Sequence, residues 1–104
     1  MNLRKYLDET YYNLLIDNYN SDYIETLDKD NFLRIYKLFQ DYGFYFINDI
    51  ILNYLEIFTL ESEYVEEELL KLKDKLGISY IYLIGNDMTY LNKIIDNYED
   101  KNFV

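Results

Sequence analysis

Asp28-Lys29-Asp30-Asn31-Phe32-Leu33-Arg34-Ile35-Tyr36-Lys37-Leu38-Phe39-Gln40-Asp41-Tyr42-Gly43 reads as one complete helix, from its first cap to its last turn. Asp28 is the residue type that accepts the free amide groups at a helix start. Phe32, Ile35, Tyr36 and Phe39 then recur at the steps of a single helical face. Gly43 stands where a left-handed residue closes the last turn. The same grammar returns after Ser62, read as a second cap: Val65, Leu69, Leu72 and Leu76 follow at spacings of four, three and four, and Gly77 ends the segment.

Between these two helices, Phe46, Ile47, Ile50, Ile51, Tyr54, Ile57 and Phe58 make a broad apolar face suited to burial on two sides, and they predict a central core helix. The run Ile78 to Ile84 has the β-branched and aromatic content of a strand. A lone strand would find no partner in this chain, so we read the run as helical. Asp87 is expected to cap a last helix through Met88, Leu91, Ile94 and Ile95, with a tail that frays from Glu99 to Val104. The chain has no proline, and only Gly43, Gly77 and Gly85 offer easy positive-φ turns. The expectation is one all-α domain over residues 1–104, made of four or five short helices. Its core should hold Leu15, Ile16, Phe32, Ile35, Phe39, Ile47, Ile50, Ile51, Leu69, Leu72, Leu76, Ile84, Leu91 and Ile94.

Two internal repeats overlay this pattern. Asn13-Leu14-Leu15-Ile16-Asp17-Asn18-Tyr19 returns as Asn48-Asp49-Ile50-Ile51-Leu52-Asn53-Tyr54 and as Asn92-Lys93-Ile94-Ile95-Asp96-Asn97-Tyr98. An offset of 34 residues superposes Ile35 through Gly43 on Leu69 through Gly77. Periods of this length belong to stacked helical units, although a chain this rich in Asn, Ile and Tyr also yields some matches by composition alone. The run from Gly43-Phe44 to Phe58, followed by Val65 to Gly77 and Ile78-Ser79 to Leu91, resembles the helical repeat of mitochondrial transcription termination factors. That family places a proline where this chain has Leu55 and Met88. The resemblance covers about half the chain and implies a degenerate helical repeat as architecture, with no functional residue carried over.

Charge narrows the function. The chain carries 20 acidic and 10 basic side chains, a formal net charge of -10. Between Lys37 and Lys71 lie eight carboxylates, eight aromatics and no base. Such a surface repels nucleic acid and attracts basic partners over a Debye length of about 8 Å at physiological salt. With no cysteine and no histidine, the chain lacks disulfides, thiolate metal sites and the commonest general base. Catalysis would rest on carboxylates, tyrosines or lysines in a deep cleft that a small helical domain seldom builds, so no enzyme is expected. At this length about 65% of the unfolded surface can be buried without staples. No signal-type or membrane-spanning run appears, which points to the cytoplasm. The abundance of Asn, Ile, Lys and Tyr is the residue usage of an AT-rich genome, as in a low-GC bacterium or its phages.

The candidate protein-binding residues are Asp41, Tyr45, Asp49, Glu56, Glu61, Glu63, Tyr64, Glu66, Glu67 and Glu68, the acids supplying attraction and the rings anchors. Lys71, Lys73 and Lys75 are read as balancing the preceding glutamates and the negative helix end. Asp28-Lys29-Asp30-Asn31 is a helix start and no calcium loop, because Leu33 and Phe39 stand where glycine and glutamate are required. No metal and no cofactor are expected. The function that follows is a small acidic inhibitor, of the anti-restriction or anti-CRISPR type that phages encode. It would bind the basic surface of a nucleic-acid-processing protein, its carboxylates imitating a phosphate backbone. The alternative is a self-associating structural or regulatory, antitoxin-like subunit, paired as a homodimer through apolar helix faces. Neither nucleic acid itself nor a membrane is an expected partner.

Overall fold

The local signals resolve into seven α-helices in the computed structural model, which describes residues 1–102. These are α1 (Glu9–Asn18), α2 (Ser21–Glu25), α3 (Lys29–Asp41), α4 (Ile47–Asn53), α5 (Ser62–Leu76), α6 (Tyr80–Asn86) and α7 (Asn92–Asn102). Short 3-10 turns occupy Leu3–Lys5, Leu55–Thr59 and Met88–Leu91, and the described residues include no strand. The all-α class holds, with more and shorter helices than the four or five expected. Of the helix read over Ile78 to Ile84, the part from Tyr80 is α6, and Ile78 and Ser79 form the turn before it. α7 continues through Glu99 to Asn102, and Phe103 and Val104, the rest of the tail expected to fray, lie outside the described residues.

The α3 signature is borne out atom by atom. The Asp28 carboxylate accepts the Asn31 backbone N–H at 3.0 Å. At the other end Gly43 takes φ +90°, its N–H bonds the Gln40 carbonyl at 3.0 Å, and the Phe44 N–H reaches back to the Phe39 carbonyl at 3.0 Å. That pair of bonds is the Schellman motif. Its usual apolar clasp is present too, with the Phe39 and Phe44 rings 5.1 Å apart. The cap at Ser62 is corrected: Ser62 is already the first residue of α5, and Glu61 holds the cap position without a side-chain bond. Asp87 caps the Met88–Leu91 turn, accepting from the Thr89 N–H at 3.1 Å, and that turn leads into α7. Gly85, read as part of a turn, lies in the last turn of α6 instead. A Cβ there would meet the Phe46 ring at 3.1 Å and the Tyr45 hydroxyl at 3.2 Å, so glycine permits the close packing of α6 on those rings.

The single core helix expected over Phe46 to Phe58 is broken. It divides into α4 and the 3-10 turn Leu55–Thr59, with Tyr54 at φ -138°, ψ 44° between them. The break is met from outside the segment, because the Leu55 N–H donates to the Tyr19 hydroxyl at 3.2 Å. That hydroxyl in turn donates to the Glu56 carboxylate.

Packing follows from these pieces. α1 lies on α4; α3 lies on α5 and on the Leu55–Thr59 turn; α5 also carries α6 and α7. Asn31 ties α3 to the following segment by donating to the Phe58 and Leu60 carbonyls at 3.0 and 2.8 Å. A chain of rings fills the centre. Phe58 stacks on Phe32 at 4.9 Å and leans on Phe39 at 5.7 Å, and Phe44 extends the chain to Phe46 at 5.5 Å and Tyr80 at 6.0 Å. Of the expected core, Ile16 is 39% exposed and Leu76 half-buried, while the remaining residues are buried. The first two copies of the Asn-to-Tyr string end at helix C-termini, with Tyr19 and Tyr54 as the caps, whereas the third opens α7.

Candidate functional site

Arg34, Lys37, Leu38 and Asp41 recur along one face of α3 at three- and four-residue steps, and this face meets Ser62, Glu63 and Glu66 of α5. Together they line a cleft of about 310 Å³. Asp41, Glu63 and Glu66 are its carboxylates, and all three are exposed. Lys37 pairs with Asp41 at 3.3 Å within α3, an exposed contact worth little in water. Glu66 accepts the Tyr42 hydroxyl at 2.8 Å. Glu61, at the α5 cap, and Glu67, on that helix, are exposed, Glu67 standing 3.9 Å from Lys71.

The other candidates lie elsewhere. Asp49 is half-buried and accepts the Tyr11 hydroxyl at 3.0 Å, and Glu56 is half-buried under Tyr19. Tyr45 is 75% exposed and lines a second cleft of about 580 Å³ with Asp49. Two candidates are not surface residues at all. Tyr64, expected as an exposed anchor, is buried, and its hydroxyl donates to the Ile94 carbonyl at 2.7 Å. Glu68 is only 5% exposed, held by the Asn97 side-chain amide at 3.0 Å and the Lys71 ammonium at 3.3 Å. The signal for Glu68 was in the spacing: with Val65, Leu69 and Leu72 it occupies the i, i+3, i+4 and i+7 positions of the inward face. The acids thus do not gather on one face.

Sequence reasoning missed the tyrosine partners. Tyr11, Tyr19 and Tyr42 each donate a hydroxyl to a carboxylate 38, 37 and 24 residues away, and no local pattern encodes such a pairing. In a chain short of bases these hydroxyls satisfy acids without neutralising them. The hydrogen bonds to Asp49 and Glu66 push the Tyr11 and Tyr42 hydroxyls above the ordinary tyrosine range, and burial, followed by the bond to Glu56, does so at Tyr19. A raised folded-state pKa stabilises the fold fully below the unfolded value of about 10 and loses that contribution as pH rises through the folded value. The expected result is a urea midpoint unchanged between about pH 8 and 9 that falls above about pH 10.

A third surface feature is apolar. Leu70, Ile78 and Tyr82 are exposed around the turn between α5 and α6, Ile78 at 97%. Among the described residues, no group of three or more acidic side chains is placed to hold a metal ion, and no helix is long and apolar enough to cross a membrane. No protein-family model matches the chain, nor does any curated protein or solved structure.

Proposed function

We propose that this chain is a small acidic protein-interaction domain, an inhibitor that occupies the basic, nucleic-acid-binding surface of a processing enzyme as a mimic of the phosphate backbone. It acts by binding and performs no catalysis. The observation that carries the reading is the sparse pairing of its charge: ion pairs among the described residues engage only Asp41, Glu67 and Glu68. The exposed carboxylates of Glu61, Glu63 and Glu66 therefore keep their field for a partner. The cleft between α3 and α5, with Asp41, Glu63 and Glu66 on its walls, is the proposed centre of contact. In the architecture proposed beside it, the chain is a degenerate helical repeat. A shift of 34 residues carries α3, Gly43, α4 and the Leu55–Thr59 turn onto α5, Gly77, α6 and the Met88–Leu91 turn, and both glycines take positive φ, at 90° and 86°. The glycine turn followed by a short helix is the part of the unit that the likeness to termination factors implies.

The test is displacement of labelled duplex DNA from a panel of basic nucleases. Inhibition is expected to weaken tenfold or more when salt rises from about 0.1 M to about 1 M, as the Debye length shrinks from about 10 to about 3 Å. The triple change Glu63→Lys, Glu66→Lys, Glu67→Lys is expected to abolish it. Displacement that is indifferent to salt, or that survives this charge reversal, overturns the mimic.

The apolar patch favours a second reading, self-association into a homodimer as a structural or antitoxin-like subunit. An isoleucine exposed as fully as Ile78, beside Leu70 and Tyr82, is apolar surface that a second copy would remove from water. Light scattering at rising concentration is expected to give twice the monomer mass, and Ile78→Asp to restore the monomer. A strict monomer at high concentration rules this reading out.

A further inference from the structure

We propose that the cleft lined by Tyr11, Tyr36, Gln40, Tyr45, Asn48 and Asp49 is a seat for an arginine side chain of the basic partner, an inference that rests on the basic-partner reading above and supplies its anchoring contact. The floor is rigid. Phe44 and Phe46 are buried there with their rings edge-on at 5.5 Å, and Gly43 holds the turn that delivers them. Tyr45 rises from this floor. Its ring stands edge-on against Phe46 at 5.0 Å and 82°, with its hydroxyl beside Gly85, so one side is braced while most of the residue faces solvent.

Asp49 supplies the charge. One carboxylate oxygen accepts the Tyr11 hydroxyl at 3.0 Å, and the second accepts no hydrogen bond among the described residues. No lysine or arginine lines the cleft, and none of the ion pairs among the described residues involves Asp49. A half-buried carboxylate in a cleft lined by tyrosines matches what a guanidinium uses, aromatic surface for its flat cation and an anionic oxygen for its N–H groups. The Gln40 and Asn48 amides add neutral acceptors, and the C-terminal end of α3, where Gln40 lies, favours positive charge. A phosphate or carboxylate ligand would meet Asp49 as a like charge. A lysine ammonium would gain the carboxylate and lose the planar stacking, so arginine is the committed occupant.

The test is an amide and side-chain NMR titration of the full chain with N-acetyl-arginine methylamide at about 0.1 M salt, with the lysine and citrulline counterparts as controls. The arginine compound is expected to move the Gln40, Tyr45 and Asn48 signals and to saturate in the millimolar range. The lysine compound should bind several-fold more weakly, and citrulline, isosteric and uncharged, should leave the signals in place. Asp49→Asn keeps an acceptor for Tyr11, and Tyr45→Ala alters an exposed ring, so both variants should fold; each is expected to weaken binding about tenfold. Equal shifts with citrulline, shifts confined to Glu63 and Glu66, or arginine binding unchanged in Asp49→Asn each overturn the seat. Arginine binding in the cleft by a chain that displaces DNA from no nuclease upholds the seat and removes the mimic. Displacement that survives both Asp49→Asn and Tyr45→Ala overturns the seat and leaves the mimic standing.

Discussion

Phe58→Ala is expected to destabilise the protein by about 3–5 kcal/mol, the range for removing a buried ring whose cavity cannot collapse. Phe58 is 1% exposed and touches rings on two sides, Phe32 at 4.9 Å and Phe39 at 5.7 Å, both on α3. It sits in the 3-10 turn that α3 packs against, so its loss opens the contact between that turn and the buried rings of α3. Against a total stability of about 5–15 kcal/mol for a domain of this size, the variant should be partly unfolded at 37 °C. Urea denaturation followed by far-UV circular dichroism checks it: the midpoint should fall steeply with little change in slope. A loss below about 1 kcal/mol would mean that the Phe32 and Phe39 rings close the gap, and would contradict the rigid aromatic centre described above.

Tyr19→Phe removes one oxygen and is expected to cost about 2–3 kcal/mol. This is the scale for stranding a backbone donor while losing a bond to a charged group. The hydroxyl accepts the Leu55 N–H at 3.2 Å and donates to Glu56, so a single atom closes the junction at which the chain leaves α4. The ring remains in the variant and still packs on Tyr23 at 6.0 Å, so the loss isolates the polar bridge from the packing. Thermal unfolding should report it as a fall of about 10–20 °C. Hydrogen exchange should locate it, with the Leu55 amide losing protection more than the amides of α3 or α5.

The elements legible in the sequence were those whose causes lie within a few residues. Asp28 reaches the Asn31 N–H because a capping side chain bonds three residues on, and Gly43 takes positive φ because it alone there carries no Cβ. The apolar faces of α3 and α5 followed from helical periodicity, and with them most of the core. The strand-like run became helix from Tyr80 onward, after a turn at Ile78 and Ser79, and the described residues offer no second strand to pair with it. Of the candidate site, the exposure of Glu63, Glu66 and Glu67 was legible from the same periodicity.

What no window of the sequence contained was the set of contacts between distant segments. The helix read from Phe46 to Phe58 breaks at Tyr54 because the Tyr19 hydroxyl, 36 residues from Leu55, accepts the amide freed there. Tyr64 turned inward because the Ile94 carbonyl, 30 residues on, accepts its hydroxyl, and the distant bond that satisfies the buried Glu68 carboxylate comes from Asn97, 29 residues on. Composition counted the acids and set the sign of the field. Their division between the α3–α5 cleft, the Asp49 cleft and the interior was settled only when the helices packed, because the partner of a carboxylate depends on separation in space, which the spacing of residues along one helix does not determine.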